Sequence, residues 1–195
     1  METVTRTGPL SGYRVLDIAG PLGLHCTKLL ADMGADVIKI EAPSGDESRR
    51  IPPFKDDTPH PEKSLYFLHF NTNKRSITLD VEKPDGRAVF LELVRKTDVV
   101  LETARPGRMD ELGIGYPTLR AQNSGLVYAA ISPFGQSGPW RDYKANDMAG
   151  IALGKRPQRF FDVALADVRG DFLDAQRRVG RKYRRLYCPL EFVHF

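Results

Sequence analysis

Cysteine is scarce: Cys26 and Cys188 are the only two in 195 residues. They make neither a disulfide framework nor a zinc-binding spacing, so no metal is expected. The amino-terminal METVTRTGPLSGYRV lacks the apolar core of a signal peptide, and no run approaches the roughly 18 apolar residues of a membrane span. A soluble, cytoplasmic protein with no membrane partner is the expectation. The G-x-G-x-x-G spacing of nicotinamide-binding turns is also missing, since the nearest glycine-rich stretch reads AGPLGLH.

A strong charge of one sign is lacking over most of the chain. The net charge is +4, but Lys155 onward holds 10 Lys/Arg against 5 Asp/Glu, leaving 19 against 20 before it. The basic surplus therefore belongs to the tail. Its cluster RRVGRKYRR would attract phosphates, yet no recognisable nucleic-acid module accompanies it, and a solvated basic tail without a nucleic-acid partner is expected.

What the chain does have is a 41% hydrophobic content arranged in short periodic runs. Arg14 to Glu41 reads as strand (Val15, Leu16, Ile18), Gly/Pro turn, helix (Leu24, Leu29, Leu30 and Met33 on its apolar side) and strand (Val37, Ile38, Ile40). This is a βαβ unit. Gly34 is a natural helix stop. Asp80 to Gly86 reads as a loop, the next stretch to Lys96 as a helix with Val89, Phe90, Leu93 and Val94 inward, and Asp98 to Leu101 as a strand. The repeated pattern predicts an α/β fold with an open, mostly parallel, Rossmann-like sheet and helices on both faces. Short helices are expected over 109–113 and 116–122, a strand over 126–132 and a helix over 142–154.

Sites in such sheets lie beyond the strand C-termini. The turn after Asp17 is the first candidate. Glu41 ends the second strand where a ribose-binding acid would stand in a dinucleotide fold. Ala42 to Glu62 is long enough to be a functional or mobile loop, and its Arg49 and Arg50 read equally as a solvated pair or an anion site. Ser64 to Phe70 reads as a packed aromatic segment. After it, Asn71, Asn73, Lys74 and Arg75 put two amides and two cations before a strand over 76–79, a combination suited to phosphate or carboxylate. Arg105 and Arg108 flank Pro106 and Gly107 in another loop at a strand end. Pro133 to Pro139 is an irregular turn able to approach a ligand closely.

Several stretches, in order and spacing, resemble the class III CoA-transferase family (the CaiB/BaiF, formyl-CoA transferase-like group), which also includes acyl-CoA racemases. They are PLSGYRVLDIAGP, LLADMGADVIKIEAPSGDESR, SLYFLHFNTNKRSITLD, DVVLETARPGRMDELGIGY and LVYAAISPFGQSGP. The resemblance implies a Rossmann-like CoA-binding domain over 9–154, preceded by a loose arm over 1–8. It further implies a smaller second domain and two subunits threaded as linked rings. Acyl-CoA and carboxylic acids would be the substrates, with no permanently bound cofactor. An Asp carboxylate attacks the thioester to give a mixed anhydride, and CoA returns to form an enzyme thioester before the acceptor takes it. Racemase members exchange the proton next to the thioester carbonyl instead.

By the same resemblance, Asn71, Asn73, Lys74 and Arg75 match the NxNKRS segment, and Thr103 to Gly107, including Arg105, matches the loop beside CoA. Phe134, Gly135 and Gln136 match the FGQ turn at the thioester end. Many members have Asn at the position of Thr103, and His25 stands where aromatic or small residues are common, open either to a base role or to a structural one. From about Lys155 the pattern is lost and most of the second domain is missing. Asp167 in VALADVRG is the candidate nucleophile, though it arrives roughly ten residues early against the family's segment. A truncated paralogue, a split protein and a shifted reading frame are the readings of this 155–195 tail, the last favoured. The function expected is CoA transfer in an incomplete chain. Racemisation and non-catalytic CoA binding stand as alternatives.

Overall fold

The computed structural model describes residues 7–145 and, as backbone only, the strand at 165–169. Its elements in chain order are β1 (Arg14–Ile18), α1 (Leu24–Asp32), β2 (Asp36–Glu41), α2 (Leu65–Phe70), β3 (Arg75–Thr78), α3 (Pro84–Val94), β4 (Val99–Glu102), α4 (Arg108–Glu111), α5 (Tyr116–Gln122), β5 (Val127–Ser132) and β6 (Leu165–Arg169). Two short 3-10 turns, Glu47–Arg50 and Lys55–Asp57, lie between β2 and α2.

The sheet order is β3-β2-β1-β4-β5-β6. The five strands from β3 to β5 are mutually parallel, and β6 is antiparallel to β5. The expected open α/β sheet is therefore present. The order in which the strands are laid down reverses between β1 and β4, which makes that gap the switch point where such sheets take ligands.

Alternate strand residues supply two cores. On one face Leu16, Ile38, Ile40, Val100, Tyr128 and Ala130 pack with Phe90 and Val94 of α3 and Leu119 of α5. On the other, Val15 and Val37 pack with Ala31 of α1. Both faces of β1 and β2 are covered, which is why their sequences run almost continuously apolar.

Helix α1 buries less than its periodicity suggests. Leu24 is buried, but Leu29 and Met33 are 46% and 40% exposed, and the buried side is completed by Thr27 and Ala31. Small residues face the sheet because the helix sits close against it. Val89 of α3, expected inside, is 50% exposed, and Gly86 takes the inward position one turn earlier. The aromatic segment 65–70 is a helix capped by Ser64, whose hydroxyl accepts from Phe67 N–H. None of its six residues is buried, so it forms a ledge beside α1 instead of core. Residues 142–145 carry no helix, and the remainder of the expected 142–154 helix lies outside the described residues. The arm over 1–6 and most of the tail lie there too.

Gly86 is required for steric reasons. A Cβ at this position would stand 1.9 Å from the carbonyl oxygen of Asp80, so the helix start and the loop from β3 would have to separate. Gly86→Ala is expected to destabilise the protein by about 1–3 kcal/mol, the usual cost of overpacking, read as a lowered urea midpoint.

Candidate functional site at the carboxyl edge of the sheet

Three turns leave the C-terminal ends of adjacent parallel strands: residues 19–23 after β1, 103–107 after β4 and 133–138 after β5. The first two are tied across the switch point, since Gly20 N–H donates to Thr103 Oγ1 at 2.7 Å. Close approach is needed here as well, because a Cβ on Gly23 would meet Ala19 Cβ and Thr103 Cγ2 at 2.8 Å each.

The β1 turn is held by buried charges. Asp17, fully buried, accepts from Ala19 N–H at 2.9 Å and from Lys74 Nζ at 3.0 Å. Lys74 also donates to Thr27 Oγ1, Asn71 Oδ1 and Leu24 O. Burial pushes the Lys74 ammonium down from its usual range, while Asp17 opposes the shift. Beside it, Lys39 donates to Ala19 O at 2.9 Å and pairs with Asp46 at 2.8 Å. Both polar backbone groups of Ala19 are thus engaged by side chains from β1 and β2.

The four residues of the NTNKR segment consequently go to different places. Lys74 and Asn71 are engaged in this buried network, Asn71 also donating to Phe67 O. Asn73, in the left-handed region at φ 63°, donates to Asp32 Oδ1. Arg75 pairs with Asp36 Oδ2 at 2.6 Å, and Asp36 begins β2, so this contact is at the opposite end of the sheet from the turns.

Glu41 and Arg49 also differ from their sequence readings. Glu41 accepts two bonds from the Arg49 guanidinium, one from Asp46 N–H and one from the Ser76 hydroxyl. Burial raises its pKa, but these donors outweigh it and hold the carboxyl at about 2. Arg49 further pairs with Glu62 and lies 3.7 Å from the centre of the Phe67 ring. It is neither solvated nor an open anion site, and Glu41 is not presented to a ribose. The long 42–62 segment is clamped to the sheet through this pair. Arg50 donates to Ser44 O.

At the second turn, Arg105 reaches Glu111 and Arg108 reaches Glu82. Both cations stay at the surface with acidic partners. In the third turn Gly135, at φ 80°, is buried between the half-buried Phe134 and Gln136, whose amide donates to Ser132 Oγ. Exposed Trp140 and Tyr143 set their rings edge-on to Phe134. His25 is exposed at the start of α1, its ring edge-on to Phe70. Asp167 occupies the third position of β6, opposite Ala130.

One functional group was missed from sequence. Glu102, the last residue of β4, is 3% exposed. Its carboxylate accepts from Ala104 N–H and from the Tyr128 hydroxyl. Desolvation pushes its pKa up to about 7, aided by the nearby Asp110 and opposed by those two donors. It lines a small cleft with Gly107, Asp110, Tyr116, Tyr128 and Gln136 among its neighbours. The available signal was an acid closing an otherwise apolar VVLE strand.

A parallel sheet with its switch point between β1 and β4 and three turns gathered at its carboxyl edge is the arrangement in which open α/β folds take ligands. The chain belongs to CoA-transferase family III, whose model matches residues 10–155. It is 40% identical over 143 residues to the succinyl-CoA:(R)-benzylsuccinate CoA-transferase subunit BbsE of Thauera aromatica, covering 73% of this chain and 35% of that protein. The acetyl-CoA:oxalate CoA-transferase of Acetobacter aceti is 41% identical over 178 residues, covering 84% of this chain and 44% of the relative. That second match extends past Lys155 wherever it begins. Among solved structures, a CAIB/BAIF family protein from Brucella suis superposes with a TM-score of 0.69 at 35% identity, covering 76% of this chain and 40% of its own. The chain spans less than half the length of these relatives. No helix among the described residues is long and apolar enough to cross a membrane.

Two stability predictions follow from these charges. Lys74→Met leaves Asp17 buried without its cation and is expected to cost about 3–5 kcal/mol, read in urea unfolding, with Asp17→Asn in the same chain recovering part of the loss. Glu102 has a folded pKa raised from 4.5 to about 7, so the native state holds its proton longer than the unfolded one. Its contribution is complete below about pH 4.5 and is lost as pH rises through about 7. Glu102→Gln should flatten that part of the pH–stability curve.

Proposed function

We propose that this chain binds coenzyme A thioesters across its carboxyl-edge turns and contributes this binding half to CoA transfer between an acyl-CoA and a carboxylic acid. The observation that carries the reading is the convergence of the 19–23, 103–107 and 133–138 turns in a member of a CoA-transferase family. Thr103 bridges two of these turns. Arg105 supplies an exchangeable polar contact at the rim, Phe134, Gly135 and Gln136 border the thioester end, and Asn73 anchors the end of α1 through Asp32. Lys74 and Asn71 serve the site as its framework, fixing the β1 turn, and Arg75 does the same for the far end of the sheet.

Asp167 is the proposed nucleophile. Its carboxylate attacks the thioester carbonyl and expels CoA thiolate, giving an aspartyl anhydride. The thiolate then attacks the aspartyl carbonyl, releasing the product acid and leaving an enzyme thioester; the acceptor carboxylate attacks that thioester and expels CoA thiolate, and the thiolate attacks the acceptor carbonyl of the new anhydride to release the new acyl-CoA and free Asp167. The reading of 165–169 as part of the site is supported by the register of β6, which sets Asp167 opposite Ala130 of β5. Assembly of two copies as an interlocked homodimer, a cytoplasmic setting and the absence of a permanently bound cofactor belong to the same proposal.

Full-length protein is expected to be retained on immobilised CoA and eluted by free CoA. Absence of retention by a folded preparation overturns the binding reading. Incubation with succinyl-CoA and oxalate or another carboxylate should yield the new thioester, and Asp167→Ala should abolish turnover while leaving retention intact. Turnover that survives this substitution removes Asp167 from the mechanism.

A further inference from the structure

We propose that Glu102 is a proton-linked positioning and selectivity group beneath the 103–107 turn, so that an anionic ligand seated on this turn binds with uptake of one proton at this carboxyl. The inference rests on the CoA-binding reading above and deepens it.

The geometry separates two roles of one side chain. An oxygen of Glu102 accepts from Ala104 N–H, the second residue of the turn, and so sets where the turn leaves β4. A neutral carboxyl or an amide keeps an oxygen acceptor for this bond, so the turn is held in either charge state. The charge is the variable that can change without refolding the turn.

Among the described residues no cation neutralises that charge. Facing Glu102 are the Tyr128 hydroxyl from β5, Tyr116 from α5, Asp110 from α4 and the Gln136 amide from the third turn. None carries a positive charge, and Asp110 is an acid. The arginines of the same loop are directed elsewhere, Arg105 to Glu111 and Arg108 to Glu82. On β1, Ile18 is the register partner of Glu102, whereas Asp17 is partnered with Leu101 and points with its Lys74 to the other face. The contrast across the sheet is direct. Asp17, Asp46 and Glu41 each meet a cation on one face, while Glu102 on the other meets hydroxyls and an acid.

An anion placed on the 103–107 turn therefore approaches an uncompensated carboxyl. Its field favours the protonated form, the proton coming from solvent, and by linkage protonation favours the anion equally. The carboxyl already titrates near neutrality, so the coupling falls within the working range of most assays. Affinity is highest below about pH 7 and declines above it, by up to about tenfold for each unit by which the ligand raises the carboxyl's pKa.

The test is calorimetric titration of the full chain with acetyl-CoA from pH 6 to 9, repeated in buffers of different ionisation enthalpy to count protons. The wild type should take up a fraction of a proton near pH 7–8, with its Kd rising about five- to tenfold across the range. Glu102→Gln should bind with a Kd that lacks this rise and without the extra proton, any residual uptake being that of acetyl-CoA's own 3′-phosphate. Tyr128→Phe removes a donor to the carboxylate and should move the wild-type transition upward by about one pH unit or less. Equal proton uptake in wild type and Glu102→Gln, or a transition unmoved in Tyr128→Phe, overturns the proposal while leaving CoA binding intact. Absence of acetyl-CoA binding at every pH overturns the underlying reading instead.

Discussion

The ion pair between Asp17 and Lys74 is the contact on which the rest of this half depends. A carboxylate and an ammonium with side-chain exposures of 0% and 1% survive burial because each Asp17 oxygen has a donor and Lys74 has further oxygen acceptors. That use joins the molecule: Asp17 takes the backbone of the β1 turn, and Lys74 takes the start of α1 and the end of α2. Residues far apart in sequence are thus pinned to one point beneath the first ligand turn. Lys39 and Asp46 repeat the device from β2, and Glu41 and Arg49 extend it to the long segment before α2. The outcome is a turn rigid at its base, with its ligand-facing surface left to residues that carry no structural charge.

The sheet divides its ionisable groups by face. The α1 side contains paired charges, and removing one partner there leaves a charge in low dielectric. The α4–α5 side contains Glu102, held by hydroxyl and amide donors with no counter-ion among the described residues. Balanced pairs give position, whereas an uncompensated acid gives responsiveness. The Gly20–Thr103 hydrogen bond connects the two regimes across the switch point, joining a turn fixed by paired charges to one that rests on a titratable acid.

The fold was legible in the sequence because both faces of β1 and β2 are covered, and strands of that kind read as apolar runs between helical periods. Helix faces were less legible. Leu29, Met33 and Val89 obey the helical period yet remain substantially exposed, since Thr27, Ala31 and Gly86 provide the close contacts with the sheet. Periodicity ranks residues by hydrophobicity, whereas a tightly packed helix selects small ones. The cations were misread for a related reason. Lys74 and Arg49 look like anion ligands in a polar stretch, but their partners Asp17 and Glu41 stand 57 and 8 positions away, and only the tertiary fold brings those charges together. Lys39, in the middle of VIKIE, held a usable signal: a lysine flanked by isoleucines in a doubly covered strand must be buried and paired.

The antiparallel direction of β6 bears on where an acid from the later part of the chain arrives. A further parallel strand would enter the sheet at its amino edge and carry its early residues away from the turns. β6 instead starts opposite Ser132, the last residue of β5, and runs back toward Tyr128. Its first residues therefore stand at the edge where the three turns gather. Asp167 is two residues in from Leu165, about 7 Å along the strand at the usual rise. That depth is close to the level of Ala130 and Glu102, which are themselves register partners. The register thus puts Asp167, Ala130 and Glu102 in one row across three strands.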